Sequence, residues 1–114
     1  MDDPRLGPDA REAIANERNE VCVSAASAWE ITTKHRIGKL PGVGKLAADI
    51  GGYLQQEGFV PLSVTVPHAE NAGRLEGLHK DAFDRMLIAQ ALVENLTLVS
   101  NETAFDAFGV SRLW

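Results

Sequence analysis

Cysteine is almost absent from this sequence, with Cys22 standing alone. No intrachain disulfide can form, no CxxC pair or Cys/His zinc set exists, and a reducing compartment is the setting that such usage fits. Long apolar runs are missing too. None approaches the roughly 20 residues that span a bilayer, and the opening Met1-Asp2-Asp3-Pro4 lacks the basic and apolar regions of a signal peptide. The expected location is cytoplasmic, with no membrane partner. Positive charge is also in short supply: the net charge of -5 excludes a broad cationic surface as the basis of nucleic-acid affinity. A local basic patch or a metal ion could still hold phosphate. What remains is a chain of 114 residues, 45% hydrophobic and 24% charged, expected to form one domain over residues 1–114.

Helix-like and strand-like pieces alternate from end to end, which predicts an α/β fold. Pro8 suits a first helical turn leading to Ala15, and Val21-Cys22-Val23 reads as a short buried strand. Ser24 is a good N-cap for a helix through Arg36, with Lys34, His35 and Arg36 at its negative end and Gly38 placed to stop it. Leu46, Ile50 and Leu54 predict one marginal amphipathic helix over residues 43–57, weakened by Gly44, Gly51 and Gly52 and capped by Gly58. Residues 59–64 read as a strand pushed towards an edge by Pro61, followed by a helix from Thr65 and Pro67 to near Gly77. The clearest helix spans residues 81–94, opens on Asp81 as N-cap, and is apolar enough to be largely buried. A short strand at 97–99, a short helix at 102–108 and a terminal strand at 110–114 complete the pattern.

Four carboxylates stand in or beside apolar segments: Glu30, Asp81, Asp84 and Glu102. An ionised carboxylate away from water needs a cation, a metal or several hydrogen-bond donors. Asp81 and Asp84, three apart at a helix start, share one face. Glu102 follows the strand that ends near Ser100, where an α/β sheet gathers site residues at its carboxyl edge. Oxygen ligands without clustered His or Cys suit Mg²⁺ or Mn²⁺ rather than zinc. Spacing alone leaves a plainer reading open, in which Asp81 and Asp84 cap a helix, Glu30 pairs with Lys34, and Glu102 is solvated.

Three stretches narrow the choice: Ser24-Ala-Ala-Ser27-Ala-Trp29-Glu30-Ile31 with Lys34 and Gly38-Lys39-Leu40; His79-Lys-Asp81-Ala-Phe83-Asp84-Arg85 running on to Ala91; and Leu98-Val99-Ser100 followed by Phe105 and Gly109-Val110. Together they closely resemble the PIN-domain ribonucleases, and within them the VapC-like toxins of toxin-antitoxin pairs. That resemblance implies a parallel sheet flanked by helices and a small cytoplasmic endoribonuclease. It implies a Mg²⁺ or Mn²⁺ cofactor, an RNA substrate, a cognate antitoxin protein and a homodimer. It places the family's second and third site carboxylates on Glu30 and Asp84, and aligns Asp81 with the acidic residue preceding the third. Ser100 falls on the family's hydroxyl position, and Glu102 stands where an aspartate is usual, keeping the charge on a longer arm. The implied catalytic set is therefore Glu30, Asp84, Ser100 and Glu102, and the implied metal set Glu30, Asp81, Asp84 and Glu102.

The family's opening strand, with an aspartate in a pattern like Leu-Leu-Asp-Thr-His, has no counterpart here, since Asp2 and Asp3 match the linker after it. The expectation is an N-terminally truncated PIN fold lacking a central strand and the first site carboxylate. A rival reading follows, in which the chain is a catalytically inactive PIN remnant that dimerises or binds an antitoxin. Other motifs carry less. Gly42-Val43-Gly44-Lys45 has the wrong spacing for a phosphate loop, and Leu46 stands where a hydroxyl residue should be. Lys34, His35, Arg36, Lys39 and Lys45 form a basic segment that complements a helix end, Cys22 reads as a small core residue, and Trp29 as packing or an interface anchor.

Overall fold

The computed structural model describes residues 6–77, 79 and 81–114. In chain order these form α1 (Pro8–Ala15), β1 (Cys22–Ser24), α2 (Ala25–Arg36), a 3-10 turn (Pro41–Val43), α3 (Gly44–Ala48), α4 (Ile50–Glu57), β2 (Val60–Leu62), α5 (Val66–Arg74), α6 (Ala82–Glu94), β3 (Leu98–Val99), a second 3-10 segment (Thr103–Phe108) and β4 (Arg112–Leu113). The α/β alternation and the parallel pairing of strands agree with the sequence expectation. Among the described residues the strands form two parallel pairs, β1 with β2 and β3 with β4. Each pair lies in its own compact unit: Glu20–Val64 make one, and the residues up to Asn19 with Thr65–Trp114 make the other. No described helix is long and apolar enough to cross a membrane.

In the unit formed by residues 20–64, Cys22 faces Val60 and Ser24 faces Leu62 in the ladder. Pro61, opposite Val23, has no N–H to give, which a parallel edge tolerates. Ser24 ends β1 and caps α2, its Oγ accepting the Ala26 N–H at 3.0 Å. The single helix expected over residues 43–57 is instead broken into α3 and α4. Asp49 leaves helical geometry with φ -155 and its carboxylate accepts the Gly52 N–H at 2.9 Å, so it caps a new helix rather than continuing the old one. Gly52 is suited to that cap, because a Cβ there would sit 2.3 Å from Asp49 Oδ2. Gly58, at φ +72, closes α4 as expected.

The other unit is built on α5 and α6. Thr65 and His68 form a reciprocal capping box at the start of α5. His68, 1% exposed, also reaches Glu94 Oε1 through Nε2 at 2.9 Å, pinning the start of α5 to the end of α6. The helix stops at Arg74 rather than near Gly77, because Leu75 turns to an extended ψ of 124. Asp81 caps α6, and Asn95 in the left-handed region ends it. Ile88, Ala91, Phe105 and Val110 form a core cluster on which Leu75, Leu96, Leu98 and Phe108 pack. Burial of α6 is complete around the turn at residues 88–91 and falls away at its C-terminal end, where Leu92 and Val93 are 41% and 40% exposed although the apolar sequence predicted a largely buried helix. The Ala10 N–H of α1 donates to the Trp114 carbonyl at 2.8 Å, tying α1 to the C-terminal residue.

Candidate functional site

The first turn of α6 carries two of the expected carboxylates. Asp81 Oδ1 accepts the Asp84 N–H at 3.1 Å, so Asp81 fills the capping role that its position suggested. Asp84 lies in that first turn, where the exposed N–H groups of the helix favour negative charge. Its side chain is 26% exposed, wet enough to meet a ligand and dry enough that its charge is only partly screened. Asp84 is held from outside the helix as well. His79 Nε2 lies 2.8 Å from Asp84 Oδ2, and since a carboxylate only accepts, the ring nitrogen donates.

The ring of His79 is itself fixed. It meets Phe105 edge to face at 5.5 Å and 86°, and Phe108 at 6.4 Å and 85°. Its carbonyl accepts a hydrogen bond from Arg85 NH1 at 2.9 Å. Arg85 also donates through NH2 to the carbonyls of Ala72 and Leu75. One guanidinium on α6 thus gathers the segment that leaves α5 and presents His79 to the residue just before it, Asp84. Beside this arrangement, Glu76, Gly77, His79, Ala104, Ala107 and Phe108 line a hollow of about 460 Å³.

Ser100 and Glu102 belong to the same unit, beyond the end of β3. The Ser100 hydroxyl accepts the Glu102 N–H at 3.0 Å, a local turn that turns Glu102 outward, and Glu102 is exposed. The backbone at Ser100 is secured by Arg112 of β4, which donates to its carbonyl at 3.1 Å. Arg112 also makes a two-pronged contact with Asp106 at 2.8 and 3.2 Å. The hydrogen bond from Arg112, with its charge, holds the Asp106 carboxyl below its ordinary pKa. Glu30 lies in the other unit, on α2. Its side chain is 20% exposed and pairs with Lys34 at 2.9 Å, as the plainer reading expected. Cys22 is half-buried rather than fully buried, and burial, with the neighbouring Glu20 carboxylate second, raises its thiol pKa. Trp29 is 65% exposed, which sets it outside the core.

Sequence reasoning did not single out His79 or Arg85 for this arrangement. Their signal is positional, a histidine five residues before Asp84 and an arginine directly after it, and it acquires meaning only when the loop folds back onto α6.

The PIN domain matches this sequence over residues 2–110. The chain belongs to the PIN-domain family. It is also 41% identical over 75 residues to ribonuclease VapC16 of Mycobacterium tuberculosis, an alignment covering 62% of this chain and 52% of that protein. The chain therefore matches about half the length of that curated relative. Both findings agree with the VapC-like PIN resemblance read from the three motif segments.

Proposed function

We propose that this PIN-domain chain is a metal-dependent endoribonuclease of the toxin-antitoxin kind, cleaving RNA phosphodiesters in the cytoplasm. Its proposed partners are an RNA substrate, a cognate antitoxin protein and a second copy of the chain. The observation that carries the reading is Asp84 at the positive end of α6, its backbone N–H capped by Asp81 and its partly buried carboxylate held by His79. The donor chemistry fits a hard divalent cation. Glu30 and Asp84 offer oxygen only, and each is shielded from most of its water. Mg²⁺ or Mn²⁺ at such ligands supplies Lewis acidity towards a phosphodiester and activation of water.

The chain's own residues supply the rest. Glu30 and Asp84 hold the ion, and Asp81 orders the turn that presents Asp84 while adding negative charge. Glu102 extends the acidic set on its longer arm. Ser100, its backbone anchored by Arg112, orients a phosphate oxygen. Lys34, paired with Glu30, tempers its charge. The ribonuclease name of the relative from Mycobacterium tuberculosis supports the choice of RNA as substrate.

The test is Mn²⁺ calorimetry on the chain and on its Glu30→Gln and Asp84→Asn variants. Each variant is expected to lose about tenfold or more in affinity, because one ligand is missing from the set. Equal affinity in all three would remove the site. Mn²⁺ binding without RNA cleavage would favour the rival reading, an inactive PIN module that binds an antitoxin.

A further inference from the structure

We infer that His79 is a positioning residue for Asp84, fixing which carboxylate oxygen is presented to the cation; this rests on the metal-site reading above. Carboxylate rotamers at a helix start are soft, since rotation about the terminal bond exchanges the two oxygens at little cost. The hydrogen bond from His79 Nε2 to Oδ2, at 2.8 Å, removes that freedom and leaves Oδ1 as the oxygen to coordinate. The donor role is independent of the ring's charge, because Nε2 carries hydrogen in the imidazolium and in the neutral tautomer that this contact selects.

A mobile ring would gain nothing by such a bond, and this ring is braced on two sides. The faces and edges of Phe105 and Phe108 set its plane, and Arg85 anchors its backbone carbonyl. Phe105 is 3% exposed and belongs to the core cluster with Ile88, so the brace is continuous with that buried cluster. Gly77 contributes as well. At φ +138, with a virtual Cβ only 3.0 Å from the Phe108 ring, it is the residue type that lets the loop pass close over Phe108. Arg85 is thus the outer clamp, the two phenylalanines the wall, and His79 the finger that reaches Asp84.

Two substitutions separate hydrogen bonding from packing. His79→Leu keeps apolar bulk against Phe105 and Phe108 and removes the donor; His79→Gln returns an N–H near the position of Nε2. With thermal melts showing both variants folded, His79→Leu is expected to weaken Mn²⁺ binding about tenfold or more, and His79→Gln to recover most of that loss. A readout without metal accompanies it: in ¹⁵N-¹H spectra the His79 Nε2–H resonance is expected to shift on Asp84→Asn. Wild-type Mn²⁺ affinity in His79→Leu, or equal loss in His79→Leu and His79→Gln, overturns the inference while leaving the metal site standing. Wild-type Mn²⁺ affinity in Asp84→Asn overturns the metal site itself, and this inference with it.

Discussion

Ile88 lies one turn beyond Asp84 on α6 and is 0% exposed, packed with Ala91, Phe105 and Val110. Replacing it by alanine removes three carbons. At about 0.8 kcal/mol per buried methylene, the lost transfer term alone is about 2.4 kcal/mol. The surrounding residues come from α6, the 3-10 segment and the stretch before β4, and Phe105 is also committed to His79, so the cavity has little means of collapsing. That places the total in the upper part of the usual range, about 3 to 5 kcal/mol, against a typical domain stability of about 5 to 15. Urea unfolding of Ile88→Ala should show a large drop in midpoint with an unchanged slope. Leu92→Ala, in the exposed last turn of the same helix, is the control and should cost less than about 1 kcal/mol. If Ile88→Ala and Leu92→Ala unfolded at the same urea concentration, the core assigned to α6 would be wrong. So would the claim that the His79 brace is anchored in it.

Arg85→Lys keeps the charge but cannot span the carbonyls of Ala72, Leu75 and His79, so it is expected to lower stability by about 1.5 to 3 kcal/mol in urea unfolding. A neutral outcome would show that the loop before α6 holds its shape unaided. The Asp106 carboxyl has its pKa lowered in the folded protein by the hydrogen bond from Arg112, so its stabilisation is present above the unfolded pKa near 4 and lost as pH falls through the folded value. Asp106→Asn should therefore unfold at lower urea than the parent at pH 7, with the gap closing below about pH 4; a constant gap across that window would contradict the pairing. Burial first, and Glu20 second, raise the Cys22 thiol pKa, so alkylation by iodoacetamide at pH 8 should be slower than for free cysteine and only partly restored by Glu20→Gln. Reaction at the free-thiol rate would refute that environment.

The parts of the fold legible in sequence are those decided by local chemistry. Ser24, Thr65 and Asp81 announce helix starts because a short oxygen-bearing side chain satisfies free N–H groups, and Gly58 announces an end because it accepts a positive φ. The family motifs around Glu30, Asp84 and Ser100 were legible as resemblance. The break at Asp49 was not, because the apolar repeat of Leu46, Ile50 and Leu54 runs through it and only the Gly52 contact shows why a new cap forms there. The early end of α5 at Arg74 and the placing of His79 depend on Arg85, a partner more than ten residues from Ala72, and no local pattern encodes that distance. Composition also overstated the burial of the end of α6, since a nearly unbroken apolar run cannot say which of its residues meet a second layer.

The central claim is metal-dependent RNA cleavage at Glu30 and Asp84, and the most direct test is the rate of Mn²⁺-dependent cleavage of a single-stranded RNA by the chain and by folded Asp84→Asn. The account predicts cleavage that EDTA abolishes and that Asp84→Asn reduces by about 100-fold or more. Cleavage of equal rate in Asp84→Asn, or cleavage that persists in EDTA, would contradict it.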